Sequence, residues 1–467
     1  MGHGAHAVRM RPLGAELDTH ARRALVPAGT DLAVRFQQGV SSPLWGRAFA
    51  VSGPRPGGPW LPESALVLGL GRSGQAAGTA LARHGSRVVA ADRSAAVHAG
   101  RLRELGVEVH LGSEEESLLD GVEVVVKSPG VPAESPLASA ARARGLPVWS
   151  EVELGYRLLR GNPLLGVTGT NGKTTTTELL GAMLREDGRP VEVAGNVGRP
   201  LTDAALDAEP GAWIVCELSS FQLEDVHTLA CDVAVLLNLE PDHLDRHRNF
   251  AAYRSAKLRI FEGARARIVP LGLGLDGTEF SADDPLPAEP LIPGAHNREN
   301  AAAATAAARA AGVGDEAIAI ALRTFPGVPH RLELVRELRG IRWVNDSKAT
   351  NTAAARRGVA SYAAPLRLIL GGSLKGEDFR PFARELPPTV RSVYLVGAAT
   401  DELATALEQA GRTYVRAGDL ATAVAEAATD AEPGDIVLLS PACASFDQFA
   451  NFEHRGEVFR QLVQELR

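Results

Sequence analysis

The sequence predicts an α/β protein of three domains. A chain of 467 residues has the length of three domains of ordinary size. From Ala65 onward, short β-rich apolar runs alternate with helical stretches, which is the pattern of parallel α/β layers. Two glycine-rich loops each follow an apolar run near the start of a predicted domain. We therefore expect a Rossmann-like N-terminal domain, a central parallel sheet of the P-loop ATPase type and a Rossmann-like C-terminal domain.

The domain boundaries are predicted at Pro- and Gly-rich stretches. We expect a disordered leader over residues 1–63, then domains over residues 64–149, 150–327 and 328–467. The first 62 residues carry seven Arg and three acidic side chains and end in a run rich in Pro and Gly. They have no apolar core of a secretory signal. A transit peptide, or translation that starts later, for example at Met10, would also account for this segment.

Composition excludes several classes of function. A net charge of -7 and a pI near 6.0 argue against general nucleic-acid binding. No apolar run approaches the roughly 18 residues needed to cross a bilayer. The cysteines are too few and too scattered for a disulfide framework or a zinc site: Cys216, Cys231 and Cys443. We expect a cytoplasmic monomer that neither binds nucleic acid nor inserts into a membrane.

The first domain begins with a strand and a glycine-rich turn. The strand over 65–68 leads to Gly69, Gly71 and Gly74, and the next strand ends at Asp92. This spacing is a dinucleotide-binding fingerprint, although any nucleotide diphosphate, or a turn with no ligand, uses the same glycines. A nicotinamide enzyme would not need a second phosphate loop about 100 residues later. We therefore predict a UDP-type ligand.

The second glycine-rich loop, over 166–175, is typical of a phosphate-binding loop. Backbone amides and the following helix N-terminus would contact phosphate oxygens, Lys173 would reach the β- and γ-phosphates, and Thr174 would bind Mg²⁺. The strict pattern fails because Val167 stands where its first Gly should be, and Gly169 compensates. The predicted ATP-binding residues of the loop are Gly169, Thr170, Asn171, Gly172, Lys173, Thr174 and Thr175.

Two further polar segments follow apolar strands of the central domain. Glu217 ends the run over 213–217, where strands of a parallel sheet open onto ligand crevices, and is placed to bind Mg²⁺. His243 lies in the Asp- and His-rich segment after the run over 233–238. A single exposed histidine usually has no catalytic role, but this cluster favours a function for His243 over one for His247.

The chain contains five lysines against 44 arginines, and these lysines are candidates for functions that arginine cannot serve. They are Lys127, Lys173, Lys257, Lys348 and Lys375. A GC-rich coding bias is the alternative explanation. By spacing alone, Lys257 is a surface lysine that pairs with Glu262. Only a lysine, however, can react with CO₂ to give a carbamate, which could hold a second Mg²⁺.

Together, the phosphate loop, the Glu217 and His243 segments and Lys257 resemble the ATP-dependent Mur ligase family over roughly residues 64–467. The blocks over 345–351, 371–379 and 439–452 resemble those of the member that adds D-glutamate. The resemblance implies that D-glutamate is bound by Thr350, Lys375, Ser445 and Phe452. It implies that the UDP moiety and sugar are bound by Ser73, Asp92, Arg93, Ser128 and Asn196. The role of Arg72, where the family varies, stays open.

The resemblance also assigns the ATP site and the chemistry. It adds Asn297, Asn300 and Arg331 to the nucleotide site, with His296 and His330 beside them. The implied metal ligands, for two Mg²⁺ ions, are Thr174, Glu217, His243 and Lys257, the last as a possible carbamate. The implied catalytic residues are Lys173, His243, Lys257, Lys348 and Asp346. The implied reaction joins UDP-N-acetylmuramoyl-L-alanine and D-glutamate through an acyl phosphate, with ATP as the phosphoryl donor.

Three alternatives stay open from the sequence. The chain could be a Mur ligase of different amino-acid specificity or a catalytically silent nucleotide-binding regulator. A nicotinamide dehydrogenase is supported only by the Gly69–Gly74 turn.

Overall fold

The structure is a computed structural model, and it describes residues 61–243, 246–374 and 376–467. The expected leader therefore lies outside the described residues up to residue 60. Three α/β sheets follow one another along the described chain, which confirms the predicted fold class. Within this part of the chain, no helix is both long and apolar enough to span a membrane.

The N-terminal domain is a five-stranded parallel sheet in the order β3-β2-β1-β4-β5. Its strands are β1 (Ser64–Leu68), β2 (Arg87–Asp92), β3 (Glu108–Leu111), β4 (Val124–Lys127) and β5 (Val148–Ser150). Its helices are α1 (Arg72–Arg83), α2 (Gly100–Glu104), α3 (Pro136–Ala143) and α4 (Glu151–Leu158), with a 3-10 turn at Glu116–Leu119. The central strand β1 leads directly into the predicted glycine turn.

The central domain is a six-stranded parallel sheet in the order β11-β10-β9-β6-β8-β7. Its strands are β6 (Leu164–Thr168), β7 (Val191–Gly195), β8 (Trp213–Glu217), β9 (Val233–Leu236), β10 (Ala266–Pro270) and β11 (Thr278–Phe280). Its helices are α5 (Lys173–Glu186), α6 (Leu201–Asp207), α7 (Ser220–Leu223), α8 (Phe250–Leu258), α9 (Ala295–Ala310) and α10 (Asp315–Thr324). A 3-10 turn at Arg259–Phe261 follows α8.

The C-terminal domain is a six-stranded mixed sheet in the order β12-β13-β17-β14-β15-β16. Its strands are β12 (Glu333–Leu338), β13 (Ile341–Asn345), β14 (Leu366–Gly371), β15 (Val390–Val396), β16 (Val415–Gly418) and β17 (Ile436–Leu439). Its helices are α11 (Thr352–Ala360), α12 (Arg380–Glu385), α13 (Thr400–Gln409), α14 (Leu420–Asp430) and α15 (Phe452–Glu465). The antiparallel β12–β13 hairpin, which the sequence reading did not predict, adds one strand to the Rossmann-like sheet.

The order of strands brings the predicted segments to shared sheet edges. In the central domain, β6 lies between β9 and β8, so the phosphate loop, the His243 segment and Glu217 follow three adjacent parallel strands. In the C-terminal domain, β17 lies between β13 and β14, so the three predicted blocks again leave neighbouring strands at one edge. Such edges are where ligands bind in open α/β sheets.

The last helix begins later than the sequence indicates. The sequence pattern predicts a start near Phe446, where Ser445 could also be a helix N-cap, whereas the helix begins at Phe452. The Asn451 side chain accepts a hydrogen bond from the backbone amide of His454 and caps this helix. Ser445 instead starts a turn, in which its carbonyl accepts from the amide of Phe449. Ser445 is therefore not the cap of α15.

Candidate active site

The phosphate loop turns sharply between β6 and α5. Gly172 is the N-cap of α5 and has a φ of +83°, a conformation that glycine adopts without strain. The backbone amide of Asn171 donates to the Asn238 side chain at 2.8 Å, and that of Thr170 donates to the Asn238 carbonyl at 3.1 Å. The segment after β9 thus holds the loop in place. The N-terminus of α5 offers amides and a positive dipole end to an anion.

Two lysines converge on one carbonyl of this loop. The Nζ atoms of Lys173 and Lys257 donate to the Gly169 carbonyl at 2.9 Å and 2.7 Å. Burial, and to a smaller extent the charge of Lys173, lower the pKa of Lys257 to about 7. Burial also lowers the pKa of Lys173, while Glu217 opposes that shift. A large share of Lys257 is therefore a neutral amine near pH 7.

The alternative of a surface lysine at position 257 is wrong. Only 2% of Lys257 is exposed, and its Nζ lies 4.8 Å from the centroid of the Tyr253 ring. The expected partner, Glu262, pairs with Arg259 at 3.4 Å. Helical spacing placed Lys257 on the outer face of α8, but this face packs against the phosphate loop.

Glu217 carries a buried carboxylate oxygen that suits a cation. Its Oε1 accepts from Nδ2 of Asn196 at 3.0 Å, whereas Oε2 is buried without a hydrogen-bond partner. A buried polar atom without a partner is rare, and a carboxylate oxygen is a ligand that Mg²⁺ prefers. Thr174, in the first turn of α5, is also buried.

Within the described residues, no three His, Cys, Asp or Glu side chains come together as a metal cluster. Mg²⁺ commonly uses one or two carboxylates together with substrate phosphates and water. Glu217 and Thr174 therefore fit a nucleotide-bound Mg²⁺ better than a metal held by protein ligands alone.

The two histidines of the 243–247 segment have different surroundings. His243 has a φ of +51°, about half of its side chain is exposed, and its Nε2 lies 3.5 Å from Oδ2 of Asp242. His247 is buried, with Nδ1 at 3.0 Å from Oε1 of Glu224 and Nε2 at 2.9 Å from Oγ of Ser220. The accessible His243 remains the candidate ligand, and His247 anchors the segment.

A cleft between the central and C-terminal domains brings seven predicted residues together. They are Asn171, Gly172, His296, Asn300, Arg331, Asp346 and Lys348. Burial raises the pKa of Asp346 to about 7, although Oγ of Ser440 donates to this carboxylate at 2.7 Å. Burial, and to a smaller extent the charge of Arg331, lower the pKa of Lys348 to about 8. These groups can change protonation near neutral pH, as groups at catalytic sites often do.

Asn297 is not among the residues that line this cleft, but its side chain contacts one of them. Its side chain donates to the Pro293 carbonyl at 2.6 Å, and its Oδ1 lies 3.4 Å from Nδ2 of Asn300. It therefore orients Asn300, which faces the cleft.

A second cavity, of about 600 Å³, lies at the edge of the N-terminal sheet. All five residues predicted to bind the UDP-sugar line it: Ser73, Asp92, Arg93, Ser128 and Asn196. Asp92 accepts from the amides of Leu70 and Ser94 at 2.7 Å and 2.8 Å, so it shapes the glycine turn. Arg72 also lines the cavity and donates to the Gly198 carbonyl of the central domain at 2.9 Å.

Two of the residues predicted to bind D-glutamate, Thr350 and Ser445, follow β13 and β17 at one edge of the C-terminal sheet. The amide of Thr350 donates to the Lys348 carbonyl at 2.9 Å, and Nζ of Lys348 lies 5.8 Å from the Phe452 ring centroid. Ser445 is buried after β17, where the neighbouring Ala444 bridges to Ser373. Lys375 lies outside the described residues, so its position stays a prediction.

The sequence reading missed a buried arginine that joins these loops. Arg455, on α15, is 1% exposed and donates to Oγ and the carbonyl of Ser347 at 2.9 Å and 2.8 Å. It also donates to the carbonyls of Cys443 and Ala444 at 3.1–3.2 Å and to that of Gly371 at 3.4 Å, so it contacts the loops after β13 and β17 and the end of β14, where the third loop begins. An arginine near a helix N-terminus normally faces solvent, and nothing in the local pattern marks Arg455. The sequence reading also missed Glu299 and Arg357, which line the inter-domain cleft.

Comparison with known families matches three domain models to the three sheets. They are the MurD-like N-terminal domain of Mur ligases over residues 63–150, the Mur ligase middle domain over 167–271 and the Mur ligase glutamate ligase domain over 330–443. These spans include the first glycine-rich turn, residues 167–175 of the phosphate loop, Glu217, His243, Lys257 and the blocks over 345–351 and 371–379. The block over 439–452 is matched only up to residue 443.

Curated relatives match most of the chain. A protein of Myxococcus xanthus is 42% identical over 452 residues, which cover 86% of this chain and 98% of the relative. A protein of Acidobacterium capsulatum is 40% identical over 444 residues, covering 86% and 96%. Both are named UDP-N-acetylmuramoylalanine--D-glutamate ligase.

Solved structures share the fold. The UDP-N-acetylmuramate-alanine ligase MurC from Thermotoga maritima has a TM-score of 0.56 and is 18% identical, covering 86% of this chain and 99% of that one. MurF ligase from Thermotoga maritima, in complex with ADP, has a TM-score of 0.52 and is 17% identical, covering 81% and 95%. At these identities the likeness concerns the fold alone.

Proposed function

The chain belongs to the Mur ligase family, and we propose that it is the ATP-dependent ligase that joins D-glutamate to UDP-N-acetylmuramoyl-L-alanine. The product is an amide of a peptidoglycan precursor. The relatives that match over 86% of the chain carry the name of this activity. We further propose that the chain acts in the cytoplasm and as a monomer.

The observation that carries this proposal is the double role of Asn196. Its side chain lines the N-terminal cavity and also donates to Glu217 at 3.0 Å, beside the phosphate loop. A UDP-sugar in the cavity and a triphosphate on the loop would therefore lie on either side of one residue. Transfer of a phosphoryl group from ATP to a sugar-linked carboxylate requires this neighbourhood.

ATP is assigned to the phosphate loop and the inter-domain cleft. The amides around Gly172 and the N-terminus of α5 would bind the phosphates, and Lys173 would neutralise their oxygens. Asn300, Arg331 and Lys348 line the cleft and would complete the site from both domains. Because two domains supply these groups, we expect closure over bound ATP.

The carboxylate of UDP-N-acetylmuramoyl-L-alanine is a poor electrophile and needs activation. Its oxygen attacks the γ-phosphorus, the bond to ADP breaks, and an acyl phosphate results. The amine of D-glutamate then attacks the carbonyl carbon, phosphate leaves, and one proton is lost. Positioning and charge neutralisation supply most of the catalysis in such a transfer. Asp346 and His243 are the groups that we propose shape the attack.

Thr174 and Glu217 would hold one Mg²⁺, and His243 and a carbamate on Lys257 would hold the other. These ions would neutralise the phosphate oxygens during transfer. A neutral lysine amine can attack CO₂, forming an N–C bond and releasing a proton. The pKa of Lys257, lowered to about 7, supports this modification because the nucleophile must be uncharged.

D-glutamate is assigned to the loops at the edge of the C-terminal sheet. Its two carboxylates need cations and hydroxyls, which Lys375, Thr350 and Ser445 can supply. Phe452 would cover the apolar part of the ligand.

Phosphate release tests the proposed function. The purified chain is incubated with ATP, Mg²⁺ and UDP-N-acetylmuramoyl-L-alanine, together with D-glutamate, L-glutamate or other amino acids in turn. We expect phosphate release and amide formation only when D-glutamate is present with both other substrates. Turnover with another amino acid would show a ligase of different specificity. ATP binding without ADP formation in the complete mixture would favour a silent regulator.

A further inference from the structure

Lys127 is the lysine of the five to which the proposed mechanism gives no role. It ends β4, immediately before Ser128 of the UDP-sugar cavity, and only 1% of it is exposed. Its Nζ donates to the Val131 carbonyl at 3.1 Å and lies 3.2 Å from Oδ2 of Asp225. A buried ammonium placed in this way must have a carboxylate partner, and the partner belongs to the central domain.

Asp225 holds a second cation from the N-terminal domain. Its Oδ1 accepts from Nη2 of Arg142, on α3, at 2.7 Å. Nη1 of Arg142 donates in addition to the Ala133 carbonyl at 2.6 Å. The carbonyl of Asp225 itself accepts from the amide of Ser150, at the start of α4, at 2.8 Å. Asp225 therefore binds the N-terminal domain through both its side chain and its backbone.

These contacts clamp one wall of the UDP-sugar cavity. The segment over 128–136 lines the cavity and has neither helix nor strand before α3. Lys127 holds it at Val131 and Arg142 holds it at Ala133, while both cations are bound to Asp225. The shape of this wall thus depends on a carboxylate of the domain that would carry ATP.

The chemistry of the clamp suits a positioning role. A buried ion pair is weak evidence for stability, because removal of two charges from water offsets most of their attraction. Such a pair does fix one geometry, since each ion is left uncompensated if the other moves away. The compact ammonium also explains a lysine in an arginine-rich chain, because the planar guanidinium needs more room in a closed site.

We propose that Lys127, Asp225 and Arg142 form an inter-domain clamp that positions the 128–136 wall for the UDP-sugar substrate. The clamp touches none of the reacting atoms, so it consists of positioning residues. It acts on binding of the UDP-sugar and sets the cavity at a fixed place relative to the phosphate loop. The identity of the ligand, a UDP-sugar, rests on the proposed function.

Steady-state kinetics of Lys127→Met test the clamp, because methionine keeps the unbranched side chain as far as Cε and removes the charged nitrogen. Asp225 and the Val131 carbonyl lose a partner. We expect KM for UDP-N-acetylmuramoyl-L-alanine to rise about tenfold or more, since two polar groups lose a buried partner. The KM values for ATP and D-glutamate should stay close to those of the wild type, because both ligands are assigned to sites outside this wall.

Two further variants keep the test decisive. Asp225→Asn should raise the same KM, and the double variant should be no worse than the poorer single variant, since the pair acts as a unit. Arg142→Gln changes a partly exposed side chain of the clamp. It replaces Lys127→Met in the test if that variant does not fold, and it should raise the same KM. The control is Arg144→Gln, whose side chain pairs with Glu116 and Asp120 inside the N-terminal domain. It should leave all three KM values unchanged.

The inference is overturned if the clamp variants lower the melting temperature while KM for the UDP-sugar stays at the wild-type value. It is also overturned if all three KM values rise together. Wild-type turnover, measured first, keeps the two proposals apart. An inactive wild type contradicts the proposed function, whereas an active wild type with unaffected clamp variants contradicts only the clamp.

Discussion

Gly172 and Asn300 are in such close contact that a side chain on the glycine would overlap the Asn300 amide. The two residues come from opposite ends of the central domain, the phosphate loop and α9. Both line the inter-domain cleft. A glycine is needed here for two reasons, namely the φ of +83° and the closeness of a neighbouring side chain.

Gly172→Ala should displace Asn300 and the loop, and thereby remove most ATP turnover. We expect kcat/KM for ATP to fall by about 100-fold, as for other misplacements of a reacting group. Gly188→Ala is the matched control, because Gly188 has a φ of +74° but no atom within 4 Å of an added Cβ. Both variants carry similar backbone strain, so equal losses of activity would show that strain alone is responsible.

Lys257→Ala should nearly abolish turnover, and formate or acetate should partly restore it. The reason is that the small carboxylate would take the place of the proposed carbamate, and loss of a charged group at a transfer site costs about 100-fold or more. Initial rates with increasing formate measure the rescue. Arg254→Ala changes an exposed cation on the same helix and should be neither inactive nor responsive to formate. Full activity of unrescued Lys257→Ala would end the carbamate hypothesis.

Arg455→Lys should disturb the three loops at the edge of the C-terminal sheet. A lysine has three donors on one atom and cannot reach the carbonyls that the guanidinium fork contacts. We expect a lower melting temperature, a higher KM for D-glutamate and a kcat that falls about tenfold or more, because buried carbonyls lose their donors. Arg460→Lys, on the same helix and paired with Glu333 and Glu457, is the control. A change in melting temperature without a kinetic change would confine Arg455 to a role in stability.

Glu151→Gln should make stability less dependent on pH. Glu151 is fully buried, and this burial raises the pKa of its carboxyl to about 7, although Thr202 donates to it. The native state therefore keeps a proton that the unfolded chain releases near pH 4.5. Stability conferred by the protonated form falls as the pH rises from about 4.5 to about 7 and then levels off.

Glutamine resembles the protonated carboxyl at every pH, so Glu151→Gln should match the wild type near pH 4. Near pH 8 it should be more stable, by up to about 3 kcal/mol for a shift of this size. Melting temperatures at the two pH values measure the effect. Equal destabilisation of the variant at both values would contradict the buried, protonated glutamate.

Local pattern was sufficient for the strands that precede the two glycine-rich loops, Glu217 and the His243 segment, and for the ligand-facing ends of these strands. Asp92 and Glu217 end β2 and β8 as the alternation of apolar runs predicts. The order of strands within each sheet was not predicted, and it decides which ends are neighbours. The β12–β13 hairpin and the start of α15 were missed, since the former is set by antiparallel pairing and the latter by the Asn451 cap.

The sequence by itself determined the three α/β domains, both glycine-rich loops and the residue types suited to binding phosphates, because these depend on spacing along the chain. Only the tertiary structure decided that Lys257 is buried on the phosphate loop, that Arg455 joins three loops and that Lys127 pairs with Asp225. Burial and charge pairing depend on atoms that are distant in the chain. The periodicity of apolar residues along the chain does not indicate which carboxylate or carbonyl will contact a given cation after the sheets have packed.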